Sequence, residues 1–273
     1  MKTRIIVGVI GVPLLFILIL FAPIWMFGAV LGAIAAIAAW ELLKCVCADM
    51  PMRMVIYACV GAFLLPFGTS FGNGLIVERF VLWALVLVMF GELMISFLRE
   101  NRMPFEPIVM VLFAGFVLPM LFTSLIRISM MNHGSYLLLM VFIVAFASDS
   151  CAYFAGMFLG KHKLAPVVSP NKTIEGALGG LAAGILAMLL YTFILDVPLK
   201  FDVSYGAAVV YGLVGCLAGE LGDLCFSVIK RQTGIKDYGN ILPGHGGILD
   251  RFDSMLFIAP LIELLLLWVP AIM

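Results

Sequence analysis

The chain has 273 residues, 64% of them hydrophobic and only 12% charged, with a formal net charge of zero. Soluble domains keep roughly a quarter of their residues charged, so this composition excludes an ordinary water-soluble globule. The balanced charge removes the electrostatic basis for binding nucleic acid. The bilayer is the expected solvent, and the expected fold is all-α, a polytopic helical membrane protein.

Spanning about 30 Å of hydrocarbon takes roughly 20 apolar residues. The first candidate, residues 5–22, follows Lys2 and Arg4 as a signal peptide would. It is longer than the usual ~7–15-residue signal core and no A-x-A-like site follows, so a retained span is expected. Further runs cover residues 24–43, 54–71, 80–98, 108–126, 136–159, 174–195, 203–229 and 252–272, which makes about nine spans. The weakest joint is Pro23. With the N-terminus on the inner side, the loops split Lys and Arg thirteen to three in favour of that side, with only Arg79, Arg127 and Lys200 opposite. Such a bias predicts a cytoplasmic N-terminus. No soluble domain or internal repeat is apparent. Residues 1–273 are expected to form one transmembrane catalytic domain, with 1–130 mainly scaffold and 131–273 carrying the active-site motifs.

The first half offers mostly packing and interfacial anchors such as Trp25, Trp40 and Trp83. His133 falls in a short outer loop, where solvation or capping is the expected role. The six cysteines sit mostly in apolar runs without C-x-x-C spacing and read as small buried hydrophobes.

Three clusters in the second half break the rule that ionisable groups avoid hydrocarbon. In residues 148–176, Asp149 and Tyr153 lie one helical turn apart on one face, continued by Gly156 and Gly160. Pro166 and the Ser169-Pro170 pair then punctuate a stiff loop bearing Lys161, Lys163, Asn171, Lys172 and Thr173. The next helix opens near Thr173 and Glu175, and the amides of a helix start suit an anion. The G-x-x-x-G-K here lacks the spacing and the Ser or Thr of a Walker loop.

In residues 212–231, Gly212, Gly215, Gly219 and Gly222 form a smooth helix stripe beside Glu220 and Asp223. Two carboxylates within one turn of an apolar helix repel unless they are protonated or share a cation. In residues 235–254, Gly239, Gly244, Gly246, Gly247 and Pro243 make a loop that a ligand can approach closely, followed by Asp250, Arg251 and Asp253. Mg²⁺ favours such a setting of one or two carboxylates, waters and substrate phosphate oxygens. His245 either binds phosphate or caps the loop.

The string SVIKRQTGIKDYGNILPGHGGILDRFDS, residues 227–254, resembles the motif S-x-x-K-R-x4-K-D-x5-P-x-H-G-G-x-x-D-R-x-D of phosphatidate cytidylyltransferases, with no departure at a fixed position. The SPNKTIEG and GELGD segments are similar to that family too. The resemblance implies an enzyme that joins CTP to phosphatidate, giving CDP-diacylglycerol and pyrophosphate. It implies Mg²⁺ held by Asp223 and Asp250, a second, monovalent cation such as K⁺, and a homodimer in the bacterial cytoplasmic membrane with its site on the cytoplasmic side. Asp223, Asp250 and Lys172 are the candidate catalytic groups. Candidate substrate contacts are Ser169, Lys172, Thr173, Lys230, Arg231, Lys236, Asp237, His245, Gly246, Gly247 and Arg251.

The chemistry agrees with this expectation. A phosphate monoester is already an anion and needs positioning and charge neutralisation more than a strong base. Two alternatives remain in view. A CTP-dependent lipid or polyprenol kinase would use similar groups. An ion-coupled transporter would explain intramembrane carboxylates but not the dense one-sided K-R, K-D, H-G-G and D-R-x-D run. A purely structural subunit would leave Glu220 and Asp223 uncompensated, and no D-G-x-x-A-R run marks a CDP-alcohol phosphotransferase.

Overall fold

The computed structural model describes residues 13–47, 49–98, 104–241 and 246–272. They are almost entirely helical: α1 (Ile24–Val46), α2 (Met52–Thr69), α3 (Gly74–Leu98), α4 (Glu106–Leu112), α5 (Leu118–Ser129), α6 (Gly134–Leu159), α7 (Ile174–Asp196), α8 (Tyr205–Gln232), α9 (Leu249–Phe252) and α10 (Met255–Trp268). A π turn, Phe113–Val117, joins α4 to α5. The single sheet among the described residues is a hairpin of β1 (Lys163–Ala165) and β2 (Ser169–Thr173).

Seven helical segments among the described residues are long and apolar enough to cross a membrane: α1, α2, α3, Glu106–Ser129, α6, α7 and α8. The protein is thus an integral membrane protein of the helical class. Of the nine expected spans, the first lies partly outside the described residues and the last is shorter than expected. Of residues 5–22, only 13–22 are described, with helix over 13–21. Pro23 does separate that helix from α1, its extended backbone (ψ 147°) preceding the first turn. The last apolar run delivers α10, 14 residues long, about 21 Å at 1.5 Å per residue. The turn at Asp253–Ser254 and the non-helical backbone at Val269 shorten it.

The chain divides into two compact units. The first joins residues 1–130 to 235–251, and the second joins 131–234 to 252–273. In the first, α2 packs on α1, α3 and α5. Two ion pairs tie it together: Arg53 to Glu92 at 2.8 Å and Arg127 to Glu78 at 2.7 Å. Each pair joins residues that the charge pattern places at the same end of the bundle. Gly115 in the π turn lies so close to α2 that a Cβ would stand 2.8 Å from the Ala58 α-carbon. Along α3, Leu75, Phe80, Trp83, Leu87 and Met94 remain exposed. Hydrocarbon rather than water suits such a face.

In the second unit, α7 packs on α6 and α8, and α10 packs on α8. The glycine stripe of α8 stays within one broad face yet meets three neighbours. A Cβ at Gly212 would stand 2.6 Å from the Ile185 α-carbon, one at Gly215 2.7 Å from Val144, and one at Gly222 2.7 Å from the Asp253 carbonyl. Side-chain hydroxyls cap two helices, Thr173 accepting from the Gly176 amide at 3.1 Å and Ser204 from Ala207 at 3.2 Å.

Candidate active site

The cavity in the second unit is built where α6, β2, α7 and α8 meet. Close packing of α6 on α7 requires small residues there. Gly176 lies near the Ala152 carbonyl, and Gly180 near that of Ser148, leaving 2.9 Å for an added Cβ at either position. The half-open space so framed holds about 440 Å³. Asp149, Asn171, Lys172, Thr173, Glu220 and Asp223 make up its polar wall, and Ala152, Tyr153, Gly156, Met157 and Ala177 are the small and apolar members of the same lining. Asp149 and Tyr153 thus share the cavity, as one-turn spacing on a helix requires.

Lys172 organises the polar wall. Its Nζ lies 2.8 Å from Glu220 Oε1 and 2.7 Å from Asp223 Oδ2. Burial pushes the pKa of this amine down, but Asp223 and Glu220 outweigh burial and hold it above the usual lysine range. The two α8 carboxylates therefore do share a cation, a lysine on β2. Ser227 donates to the other Asp223 oxygen, Oδ1, at 3.2 Å, and Ser254 donates to Asp149 at 3.5 Å.

The 163–173 segment, expected as a stiff loop, pairs as a hairpin, with Lys163 opposite Thr173 and Ala165 opposite Ser169. Lys161 and His162 donate their amides to Glu175 Oε2 at 3.1 and 3.2 Å. Glu175 and the Thr173 cap therefore occupy donors around the start of α7 that an anion would use. Ser169 is half-buried on β2. Arg231 is exposed and donates through Nε to the Val168 carbonyl at 3.0 Å, pinning the hairpin to the end of α8. Lys230 is buried and stands 4.0 Å from Asp253, which also accepts from the Ser254 amide at 2.8 Å. Asp253 therefore pairs with Lys230 within its unit.

The glycine-rich loop belongs to the first unit. Asp250 is buried, and its Oδ2 accepts from the amides of Tyr238 at 2.8 Å and Gly247 at 3.0 Å. Gly246 takes φ +86°, and a Cβ there would stand 3.0 Å from the same Asp250 oxygen. Glycine satisfies both demands. Lys236, Asp237 and Arg251 are exposed. Asp237 lines a second cavity of about 450 Å³, with Trp40, Lys44, Tyr238 and Asn240. His245 lies outside the described residues.

Sequence reasoning missed Glu41, which is wholly buried at the end of α1 and accepts from the amides of Ile248 at 3.0 Å and Leu249 at 2.8 Å. A lone acid inside the apolar run 24–43 was the available signal.

Carboxylates gathered around a lysine in the first cavity, and a glycine-rich loop around a buried aspartate in the other unit, are each settings that phosphate chemistry uses. Residues 2–269 match the cytidylyltransferase family. The chain belongs to that family. This cytidylyltransferase is 34% identical over 274 residues to the phosphatidate cytidylyltransferase of Bacillus subtilis (strain 168), covering 97% of each chain. It is also 34% identical over 278 residues to that of Staphylococcus haemolyticus (strain JCSC1435), covering 98% of this chain and 99% of the relative. Over 136 residues, half of either chain, identity to the Staphylococcus saprophyticus protein of the same name rises to 43%.

Proposed function

We propose that this cytidylyltransferase transfers CMP from CTP to phosphatidate, releasing pyrophosphate and leaving CDP-diacylglycerol in the membrane. The observation that carries the reading is the lining of this cavity, which combines charged groups with apolar ones. A lipid phosphate demands both surfaces, since its headgroup is doubly anionic and its tails stay in hydrocarbon.

A monoester oxygen of phosphatidate attacks the α-phosphorus of CTP. The new O–P bond forms as the bond from that phosphorus to the β-bridging oxygen breaks, and pyrophosphate leaves with the electron pair. No side chain needs to remove a proton, because the attacking oxygen is already ionised. Lys172 supplies a fixed positive charge toward the phosphates, held in place by Glu220 and Asp223. The acidic groups on this wall, Asp149, Glu220 and Asp223, outnumber that one ammonium. Left alone, the wall repels phosphate.

Mg²⁺ fits that imbalance. Among the described residues no three His, Cys, Asp or Glu side chains converge as a protein-only cage. Mg²⁺ in phosphate-transfer sites instead takes one or two carboxylates and completes its shell with water and substrate oxygens. In this reading Asp223 and Asp250 would be its carboxylate ligands, and the ion would supply charge neutralisation at the reacting phosphates. Lys230, Arg231, Lys236 and Arg251 are further cations for the triphosphate and pyrophosphate. A monovalent cation such as K⁺ and a homodimer belong to the same reading.

Labelled CTP decides between transferase and kinase. Purified protein given phosphatidate and CTP labelled in the cytosine should place the label in an organic-extractable lipid, with equimolar pyrophosphate released. A CTP-dependent kinase would leave the cytosine in water as CDP, and a transporter would leave CTP intact.

The same reading puts the site on the cytoplasmic face of a bacterial inner membrane, with the N-terminus on that side, and the excess of Lys and Arg in the loops supports it. A reporter inserted in the 161–168 segment should then read as cytoplasmic and one fused after Met273 as extracytoplasmic. Both reporters on one side would overturn that orientation.

A further inference from the structure

Three consecutive amides in the glycine-rich loop point at carboxylates. Gly247 donates to Asp250, whereas Ile248 and Leu249 donate to the two oxygens of Glu41. The loop is shaped around the Glu41 side chain. A Cβ on Gly247 would stand 2.6 Å from both carboxylate oxygens, and one on Gly239 would collide with Oε1. The acid is 0% exposed. Burying a carboxylate is costly, and accepting hydrogen bonds from backbone amides offsets that cost. A hydrophobic side chain would have packed this helix end without the penalty.

We propose that Glu41 is a positioning residue for the reaction: its carboxylate clamps the turn at residues 246–250 to α1 and so fixes the direction of Asp250. Glu41 and Asp250 both hold this turn, Gly247 lying against the Glu41 carboxylate while its N–H donates to Asp250. This inference rests on the reading of the chain as a phosphatidate cytidylyltransferase that uses Asp250.

Glu41→Gln tests the clamp in the full-length protein. The amide retains the size of the side chain and one acceptor, but turns an NH₂ donor toward one of the loop amides. Hydrogen exchange at residues 247–249 should quicken about tenfold while the remainder of α1 is unchanged. In the labelled-CTP assay, kcat/KM for CTP should fall at least about tenfold, with KM for phosphatidate within about twofold. Glu41→Asp keeps the charge but withdraws it by about 1.5 Å, one carbon–carbon bond. It should fall between the parent and Glu41→Gln, and it provides the same readouts where Glu41→Gln does not fold.

Unchanged exchange at 247–249 overturns the clamp. Faster exchange with parental kcat/KM overturns the positioning role, as does a loss of activity that only tracks the fraction of folded protein. An unaltered protein that labels no lipid overturns the functional reading instead, and the exchange measurement still decides the clamp.

Discussion

Asp223→Asn and Asp250→Asn should each lower CDP-diacylglycerol formation by roughly a hundredfold or more, the scale expected when a group that stabilises transition-state charge is removed. Both replacements keep the size of the side chain and one carbonyl acceptor. In Asp223→Asn the one remaining carbonyl can accept from Ser227 or from Lys172 but not from both, and Lys172 would retain Glu220 as its partner. In Asp250→Asn the side-chain carbonyl would face the amides of Tyr238 and Gly247, so the loop should persist. Folding therefore survives, and the missing quantity is negative charge for a cation. EDTA should reproduce the loss in the unaltered protein, and excess Mg²⁺ should reverse it. Full turnover in EDTA, or substantial turnover in the double variant, would remove the metal from the mechanism. Asp253→Asn should instead show its main effect in thermal stability, because it strips a partner from buried Lys230.

Lys172→Ala carries the second large expected effect, a loss of turnover of at least about tenfold. It also leaves Glu220 and Asp223 facing one another without their shared ammonium. The lysine side chain is 21% exposed, so the stability cost should lie near about 1–3 kcal/mol, below that of breaking a fully buried pair. These two consequences can be separated. Adding Glu220→Gln to Lys172→Ala relieves the repulsion and should restore the melting temperature without restoring turnover. If turnover returns together with stability, the lysine balances charge and has no part in handling phosphate.

The residues of this polar wall were legible in the sequence for one physical reason: hydrocarbon tolerates charge only where charge is used. Asp149, Glu220 and Asp223 stand out inside apolar runs, and Lys172 stands out between two prolyl turns and a helix start. Their mutual contacts were less legible. Lys172 and Glu220 are 48 residues apart, and no helical period links them. The β1–β2 hairpin was hidden because Ser-Pro-Asn-Lys-Thr is turn chemistry, and only the pairing of Lys163 with Thr173 makes it a strand. The π turn at Phe113–Val117 was hidden within an uninterrupted apolar run. Glu41 was passed over because an acid near the end of a span reads as a solvated flank until its distant partners are known.

The Glu41 bonds also have a consequence for how the chain is made. Leu249 follows Glu41 by 208 residues. A ribosome adding about 5–20 residues per second needs roughly 10–40 s to cover that interval. Throughout it α1 has been synthesised, but the two amides that will receive its acid have not. The nascent helix must therefore keep Glu41 at a hydrated boundary, or carry it protonated, until the glycine-rich loop emerges. The unit begun first thus stays incomplete until most of the second has been made, and a ribosome that stalls before residue 248 leaves in the membrane an N-terminal fragment that lacks both amide partners of its acid.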